Sequence, residues 1–428
     1  MNAGTESADT TDGSNPSPGA SDAKQRVRSV VDDWHDRLVG ISHDLWDHPE
    51  LAYAEHHASA LLCDTLEQAG IAVERGAFGL ETAFVARVGD ATGPNIVICC
   101  EYDALPVVGH ACGHNVIATM GVGAGIAAAS VALELGGTVT ILGTPAEEGG
   151  GGKIKLLAAG AFDGADAAIM VHPEMGEVEY VPFLAADSVD VVMIGREAHA
   201  SSSPWDGTNA LDALVSGYVA LQMMRSTLHS DEKLHVIITE GGVADNIIPA
   251  RAVARCRVRA GTASRLAELM VRVEEIWHGA AIQVGCEVEM SWRGSYLDMI
   301  NNRALAAAYR ANGEALGRSF YPPEIVPREV AGSTDMGNVS HVVPAAHPVI
   351  EICPIGVACH TPEFAQWARS EKADNAIAAG AATMAMTAVD LWTRPELVAA
   401  IRAEFNAADR AEFAVAASPD FRVEPPSI

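Results

Sequence analysis

The sequence predicts an α/β protein in which one strand–helix body is interrupted by a smaller unit of different order. Three observations carry this. Between residues 71 and 171, apolar runs of strand length alternate with helix-like stretches. Between about Ala185 and Leu297 the order becomes strand–helix–strand–strand–helix–strand, that of a ferredoxin-like βαββαβ unit. Beyond that point helix–strand alternation resumes, so the small unit reads as an insertion in the body.

Residues 1–23 are rich in Ser, Thr, Asp, Gly and Pro. They bury too little apolar surface to order themselves, and a disordered tail is expected. Val27, Val30, Val31, Trp34, Leu38 and Ile41 recur at helical spacing and predict a helix over Gln25–Asp47. A second helix covers Glu55–Ala69, with Gly70 as its stop. Strands are expected at Ile71–Val73, Thr82–Val88, Ile96–Cys100, Thr138–Leu142 and Ala167–Val171. Helices at Val116–Leu135 and Ile154–Ala159 separate them. Near-continuous apolar strands imply a sheet covered on both faces. In such sheets ligands bind beyond the carboxyl ends of the strands.

The inserted unit, residues 185–297, comprises strand Asp187–Arg196, helix Asn209–Leu228, strands His235–Glu240 and Ala252–Ala260, helix Ser264–Gly285 and strand Cys286–Trp292. The body occupies residues 24–184 and 298–415. Its second part holds helix Asn302–Leu316, strand His347–Ile352 and the Ala-rich helix Glu371–Trp392. Residues 416–428 form a short tail.

The chain has 428 residues, enough for two or three domains and an ample core. Its formal net charge is −28, from 56 acidic and 28 basic residues. No basic patch is available to pair with phosphates, which argues against nucleic acid as a partner. No membrane span is expected. Val116–Leu135 comes closest, but it is studded with Gly, Ala, Ser and Thr and reads as a core helix. The polar, acidic start lacks the pattern of a secretion signal, so a cytoplasmic location is expected. The eight cysteines are scattered without a disulfide framework; most are small core residues, with Cys112 the exception.

Cys112 belongs to the run Val107-Val108-Gly109-His110-Ala111-Cys112-Gly113-His114-Asn115. Cys112 and His114 are two apart and cannot share a helix face. A loop between strand Ile96–Cys100 and helix Val116–Leu135 can aim both at one ion, and thiolate and imidazole are usual ligands of zinc and related metals. A buried cysteine beside a core histidine is the plainer alternative. The rest of the chain decides against it. Ile96–Cys100 runs into Glu101-Tyr102-Asp103-Ala104-Leu105-Pro106, Thr138–Leu142 into Gly143-Thr144-Pro145-Ala146-Glu147-Glu148, and Ala167–Val171 into His172-Pro173. His347–Ile352 is followed after a short loop by His360-Thr361-Pro362. Each puts a metal-competent side chain at one rim of one sheet. Adjacent glutamates suit a division of labour, one binding metal while the other takes a proton from water that the metal has brought to a pKa of about 7. The Gly149–Gly152 run before Lys153 is no phosphate loop: the spacing is wrong, and Ile154 stands where Ser or Thr would bind magnesium. There is no Gly-x-Ser-x-Gly elbow.

As an ordered set, Cys112-Gly113-His114, Pro145-Ala146-Glu147-Glu148, His172-Pro173, Ala198-His199-Ala200, Asp245-Asn246-Ile247-Ile248-Pro249 and His360-Thr361-Pro362 resemble the M20 family of metallopeptidases, in its aminoacylase-like amidohydrolase branch. The Glu101–Pro106 and His110–Asn115 runs more narrowly resemble p-aminobenzoyl-glutamate hydrolase subunits and dipeptidases acting before a basic residue. The resemblance covers about residues 25–395. It implies a phosphorylase/hydrolase-like zinc-exopeptidase catalytic domain with an inserted ferredoxin-like dimerisation domain. It implies Cys112, His114, Glu148, His172 and His360 as ligands of two divalent ions, zinc or manganese. Glu147 matches the general base, and Asp103 an acid that orients an imidazole ligand. His199 matches a histidine that reaches the partner's site in a homodimer. Asn246 and Arg259 match positions that hold a substrate carboxylate. Asn115 departs from the branch, where Asp is common. Gly332–Gly337 resembles a site-lining loop without an assigned role.

The expectation is a metal-dependent amidohydrolase or dipeptidase, acting on the amide between an acyl or aminoacyl group and an amino acid with a free carboxylate. Its partners would be that small-molecule substrate and a second copy of the chain. Two alternatives stay open: a regulatory or partner subunit of a hetero-oligomeric amidohydrolase, and a catalytically inactive metal-binding scaffold.

Overall fold

The computed structural model describes residues 18–408. Helix α1 (Pro18–Asp47) buries Val27, Val31, Leu38, Ile41 and Leu45 along one stripe. It begins earlier than composition suggested, because Ala20 and Ala23 are also buried; residues 18–23 are helix, not tail. Residues 1–17 and 409–428, which hold the rest of both expected tails, lie outside the described residues. Helix α2 (His56–Gln68) ends before Gly70, whose φ of 80° suits glycine. The first strand is β1 (Glu74–Arg75), not Ile71–Val73. Then come β2 (Phe84–Gly89), β3 (Asn95–Cys100), α3 (His114–Ala132), β4 (Thr138–Gly143), the single turn α4 (Glu147–Gly150), α5 (Gly152–Ala158), β5 (Ala167–Ile169) and β6 (His172–Glu174).

The second unit contains β7 (Ala185–Ile194), the two-residue β8 (Ala198–His199), α6 (Ala210–Met224), β9 (Lys233–Glu240), β10 (Ile247–Ile248), β11 (Arg251–Ala260), α7 (Ala263–Val284) and β12 (Glu287–Trp292). The chain returns through α8 (Arg303–Ala315), α9 (Met336–Ser340), β13 (Ala345–Ala346), β14 (Val349–Glu351), α10 (Pro362–Trp367), α11 (Glu371–Thr393) and α12 (Pro395–Ala407). Helix α12 had no sequence expectation; Pro395 in its first turn costs no intrahelical bond there.

The main sheet has the order β1-β2-β4-β3-β5-β13. Strands β4, β3, β5 and β13 run parallel, while β2 is antiparallel to β4. Alternation along β3 shows both faces covered. Ile96, Ile98 and Cys100 join the core with α1, α3 and α11, and Val97 and Cys99 join the core with α5 and α9. Helix α3 lies close against the sheet. A Cβ on Gly121 would stand 2.5 Å from Cys100 Sγ, and one on Gly125 would stand 2.3 Å from Ile141. Helices α3 and α11 are long and apolar enough to cross a membrane, but their apolar windows are 89% and 83% buried within the protein, as core helices are.

In the second unit the order is β12-β7-β11-β9, antiparallel throughout. With α6 and α7 this is the βαββαβ arrangement expected from the sequence. Val189, Val191, Met193, Cys256 and Trp277 fill a core separate from those of the body. Strand β9 forms an edge, with Ile237 and Ile238 exposed.

Candidate active site

Loops at the carboxyl ends of neighbouring strands converge, as the topology of an open α/β sheet favours. The loop after β3 carries Glu101 and Asp103, then Cys112, and enters α3 at His114. The loop after β4 carries Glu147 and Glu148, and the loop after β14 carries His360. His172 arrives differently from expectation. Strand β5 stops at Ile169, and His172 opens β6, which pairs in parallel with β14, His172 opposite Val349.

The backbone is forced at these points. Ala146 and His360 have φ of 61° and 65°, a region non-glycine residues avoid unless the surroundings hold them there. Glu55 Oε1 accepts the Ala146 N–H at 2.9 Å, and the His360 N–H donates to Ala111 O at 2.8 Å. Gly113 has no room for a side chain: a Cβ would stand 2.4 Å from Pro173 Cγ. Thus the Cys-Gly-His and His-Pro motifs lock together. The Glu147–Gly152 turn is braced by two tyrosines. Tyr296 Oη donates to Glu147 O at 2.6 Å and accepts the Gly151 N–H at 3.0 Å, while Tyr53 Oη donates to Gly150 O at 2.6 Å.

Cys112 Sγ lies 3.3 Å from His172 Nε2, and His360 Nε2 lies 3.2 Å from Glu148 Oε1. Two ligands of one tetrahedral zinc are about 3.3–3.6 Å apart, given ordinary metal–ligand bond lengths. Three overlapping sets each bring their ligand atoms within 4.8 Å of one another: Cys112, His114 and His172; Cys112, Glu148 and His360; His114, Glu147 and Glu148. His114 Nε2 is buried without a hydrogen-bond partner, while its Nδ1 is 3.0 Å from Asp103 Oδ1. Glu148 Oε1 is also buried with no donor aligned on it. Buried polar atoms are seldom left so, and these two face the same donor set. The residues fit divalent metal, and the mixture of sulfur, nitrogen and oxygen suits a borderline-soft ion.

The two adjacent glutamates differ electrostatically. Burial, reinforced by Glu101, Glu148 and Asp335, pushes Glu147 well above the carboxylate range. Burial acts on Glu148 too, but the imidazoles of His360 and His114 close to it outweigh it and hold Glu148 below its ordinary value. Burial would raise Asp103 as well; His114 beside it carries it down. Burial lowers His172.

Of the residues expected from the sequence, Cys112, His114, Glu147, Glu148, His172, His360 and Asp103 come together. His199, Asn246 and Arg259 lie in the second unit. His199 is exposed in β8, opposite Ile247 of β10 and so beside Asn246. Arg259 is half-buried on β11, where Nη1 donates to Ser333 Oγ. Burial, with Arg257 nearby, lowers it to about 10. Asn115 is explained by its surroundings. Its amide donates to Ser42 Oγ and Ala368 O, both at 2.9 Å, which tie α3 to its neighbours and which an aspartate could not supply with donors.

Sequence reasoning missed several residues. Glu101 Oε2 lies 3.4 Å from His114 Nε2. Lys153 is fully buried and ion-paired with Glu101 and Asp335. His347, buried with both ring nitrogens unpartnered, stacks on Phe183 and meets the His172 ring edge-on. Glu101 could have been found two residues before Asp103 at the same strand end. Nothing in the sequence marks Lys153 as facing inward.

The model of peptidase family M20/M25/M40 matches residues 101–389. The mouse Xaa-Arg dipeptidase is 40% identical over 409 residues, covering 91% of this chain and 94% of that protein. A p-aminobenzoyl-glutamate hydrolase subunit of Escherichia coli K12 is 28% identical, covering 86% and 92%. Among solved structures, the Bacillus subtilis YXEP protein, a dinuclear metal binding peptidase from the M20 family, superposes with a TM-score of 0.65 at 22% identity, covering 84% of this chain and 98% of that one. That similarity shows the fold. From the family match and the mouse relative, the chain belongs to peptidase family M20/M25/M40 and is a hydrolase of carbon–nitrogen bonds.

Proposed function

We propose that the protein hydrolyses the amide between an acyl or aminoacyl group and an amino acid whose carboxylate is free, using two divalent ions. The observation that carries this is the convergence of Cys112, His114, Glu148, His172 and His360 in overlapping donor sets with Glu147 buried beside them, and the opposite directions of Glu147 and Glu148 agree with it. Environments that push paired titratable groups apart mark different roles. Glu148 remains an anion fit to bind metal with Cys112, His114, His172 and His360. Glu147 is the readier proton acceptor. When bound, the ions polarise a carbonyl and make water acidic enough to lose a proton near neutral pH. Glu147 takes that proton and passes it to the leaving amine. His199 of a second copy donates to the developing oxyanion.

Arg259 supports the carboxylate requirement. Its half-buried guanidinium is held by a serine hydroxyl, which leaves its charge for an anionic ligand. The mouse and E. coli relatives act, by name, on Xaa-Arg dipeptides and p-aminobenzoyl-glutamate, which are amides of free amino acids. Thiolate and imidazole donors favour zinc over manganese. The free cysteines are compatible with a cytoplasmic, reducing setting. A partner-subunit role is a second reading, favoured by the E. coli relative being named as one subunit of its enzyme. Retention of Glu147 disfavours an inert scaffold.

The test is hydrolysis by the metal-loaded protein of dipeptides ending in Arg or Lys, p-aminobenzoyl-glutamate and N-acyl amino acids, each beside its C-terminal amide. Glu147→Gln is the matched control, expected to lose at least about 10²-fold in turnover with its ions retained. Cleavage of acids and not amides is expected. Fully loaded protein inert on every acid, with no co-purifying chain, would overturn the proposal.

A further inference from the structure

The Gly149–Lys153 run and the Gly332–Gly337 segment supply none of the five ligands proposed for the metal pair, yet the fold joins them beside the proposed base. Lys153 is fully buried. Its Nζ lies 2.6 Å from Asp335 Oδ1 and is ion-paired with Glu101, and its backbone N–H donates to Asp335 Oδ2 at 2.9 Å. The start of α5 is pressed inward to achieve this: a Cβ on Gly152 would stand 1.7 Å from Pro145 O. Glu101, Glu147 and Asp335 bring carboxylate oxygens within 4.8 Å of one another, and all three are buried. Three carboxylates so close in the interior must take up protons or hold a cation, and Lys153 supplies the cation. Glu101 has a second neighbour, since its Oε2 is 3.4 Å from the unpartnered His114 Nε2.

We infer that the Lys153 ammonium is a resident cation of the active site: it fills the Glu101–Glu147–Asp335 pocket, keeps a divalent ion out of it, and holds Glu101 back from His114 Nε2. Lys153 is thus a positioning residue. It leaves His114 to the metal pair, and it leaves Glu147 without a metal and able to accept a proton, which rests on the role proposed for Glu147 above. A lysine is suited to this, being a compact point charge with donors for two carboxylates at once. A lysine that merely stabilised the fold would affect melting and nothing else.

The test compares wild type, Lys153→Met and the triple variant Lys153→Met/Glu101→Gln/Asp335→Asn, each dialysed against zinc or manganese. Bound ions per chain are counted by elemental analysis, with thermal unfolding, kcat and KM measured alongside. Lys153→Met is expected to hold one more ion per chain than wild type. Its kcat should fall about 10²-fold, the scale of a misplaced catalytic group, with KM nearly unchanged. The triple variant, which lacks two of the three acids, should return to the wild-type ion count and regain most of the lost turnover. If Lys153→Met folds only when a divalent ion is added, the ion has taken the lysine's place and the inference stands. If it folds with the wild-type ion count, or stays unfolded with ion present, the inference is overturned. Because ions are counted without substrate, this result is independent of whether the proposed substrates are cleaved.

Discussion

Asp103 Oδ1 lies 3.0 Å from His114 Nδ1, and both residues are buried. A ring that binds metal must be neutral, and this contact then holds its remaining proton on Nδ1 and leaves Nε2 the lone pair. The other oxygen of the same carboxylate accepts the Glu148 N–H at 2.9 Å. One acid therefore orients an imidazole and a carboxylate of the donor set together.

Asp103→Asn tests that double duty. An asparagine can accept from one of the two donors but must turn its NH2 toward the other. Metal affinity is expected to fall about 10–100-fold, the usual effect of losing such a partner. Stability should fall by about 1–3 kcal/mol for the stranded buried donor. Competition with a chelator of known affinity measures the first, and denaturant unfolding the second. Unchanged affinity would mean the ring is oriented by packing alone.

Cys112→Ala and His360→Ala should each lower metal occupancy as well as activity, because each removes a donor within about 3.3 Å of another, the spacing of two ligands on one ion. Elemental analysis after dialysis reads this directly. Full occupancy in both variants would take them out of the ligand set. Chelation should abolish activity and leave the far-ultraviolet circular dichroism intact, since the cores on both faces of the main sheet do not pass through the metal site.

Much of this candidate site was legible in the sequence because its donor side chains sit just beyond the ends of strands. The apolar runs Ile96–Cys100 and Thr138–Leu142 fix those ends within a residue or so, and the residues just beyond them had to share a rim. The adjacency of β6 and β14 was not legible: β5 is too short to reach the rim, and His172 depends on a pairing made across the chain. Lys153 and Asp335 are 182 positions apart, and only the fold reveals that a lysine after four glycines is aimed inward. Asn115 likewise shows its purpose only beside Ser42 and Ala368.

Glu55 offers a prediction about pH. It is buried, bonded to the Thr82 hydroxyl and the Ala146 N–H at 2.9 Å each, and raised to about 7, chiefly by burial and then by Asp103. A carboxyl raised in the folded state binds its proton more tightly there than in the unfolded chain. Its contribution is full below the unfolded value of about 4.3 and is lost as pH rises through about 7. Glu55→Gln should remove this part of the slope of stability against pH while keeping an acceptor for the Ala146 N–H. Glu55→Ala should cost about 1–3 kcal/mol by stranding that N–H, and should lower turnover because Ala146 sets the left-handed turn into Glu147. Parallel slopes for wild type and Glu55→Gln between pH 5 and about 7 would count against a neutral Glu55.

The last prediction concerns His199. Its Nδ1 accepts from the N–H groups of Ser201 at 3.2 Å and Ser202 at 3.3 Å. The ring proton therefore sits on Nε2, which leaves that nitrogen a donor. The side chain is exposed on the second unit, and the metal-competent residues all lie on the body. A donor meant for an oxyanion must approach the metals, and a neighbouring copy could bring it there. The second unit has surface to spare for such a neighbour. Ile237 and Ile238 are exposed on edge strand β9, and Val215, Val219 and Met223 on α6. An apolar strand edge is a liability unless paired, and two-fold assembly is the commonest way to pair it. His199→Ala and Glu147→Gln should each be nearly inactive alone. Mixed by subunit exchange, they should form dimers with one working site, which has Glu147 from one chain and His199 from the other. Activity of the mixture should then rise toward a quarter of wild type, because half of the dimers are mixed and each has one of two sites intact under random pairing. If exchange is verified and activity stays at the level of the parents, His199 either serves its own chain or takes no part in the reaction.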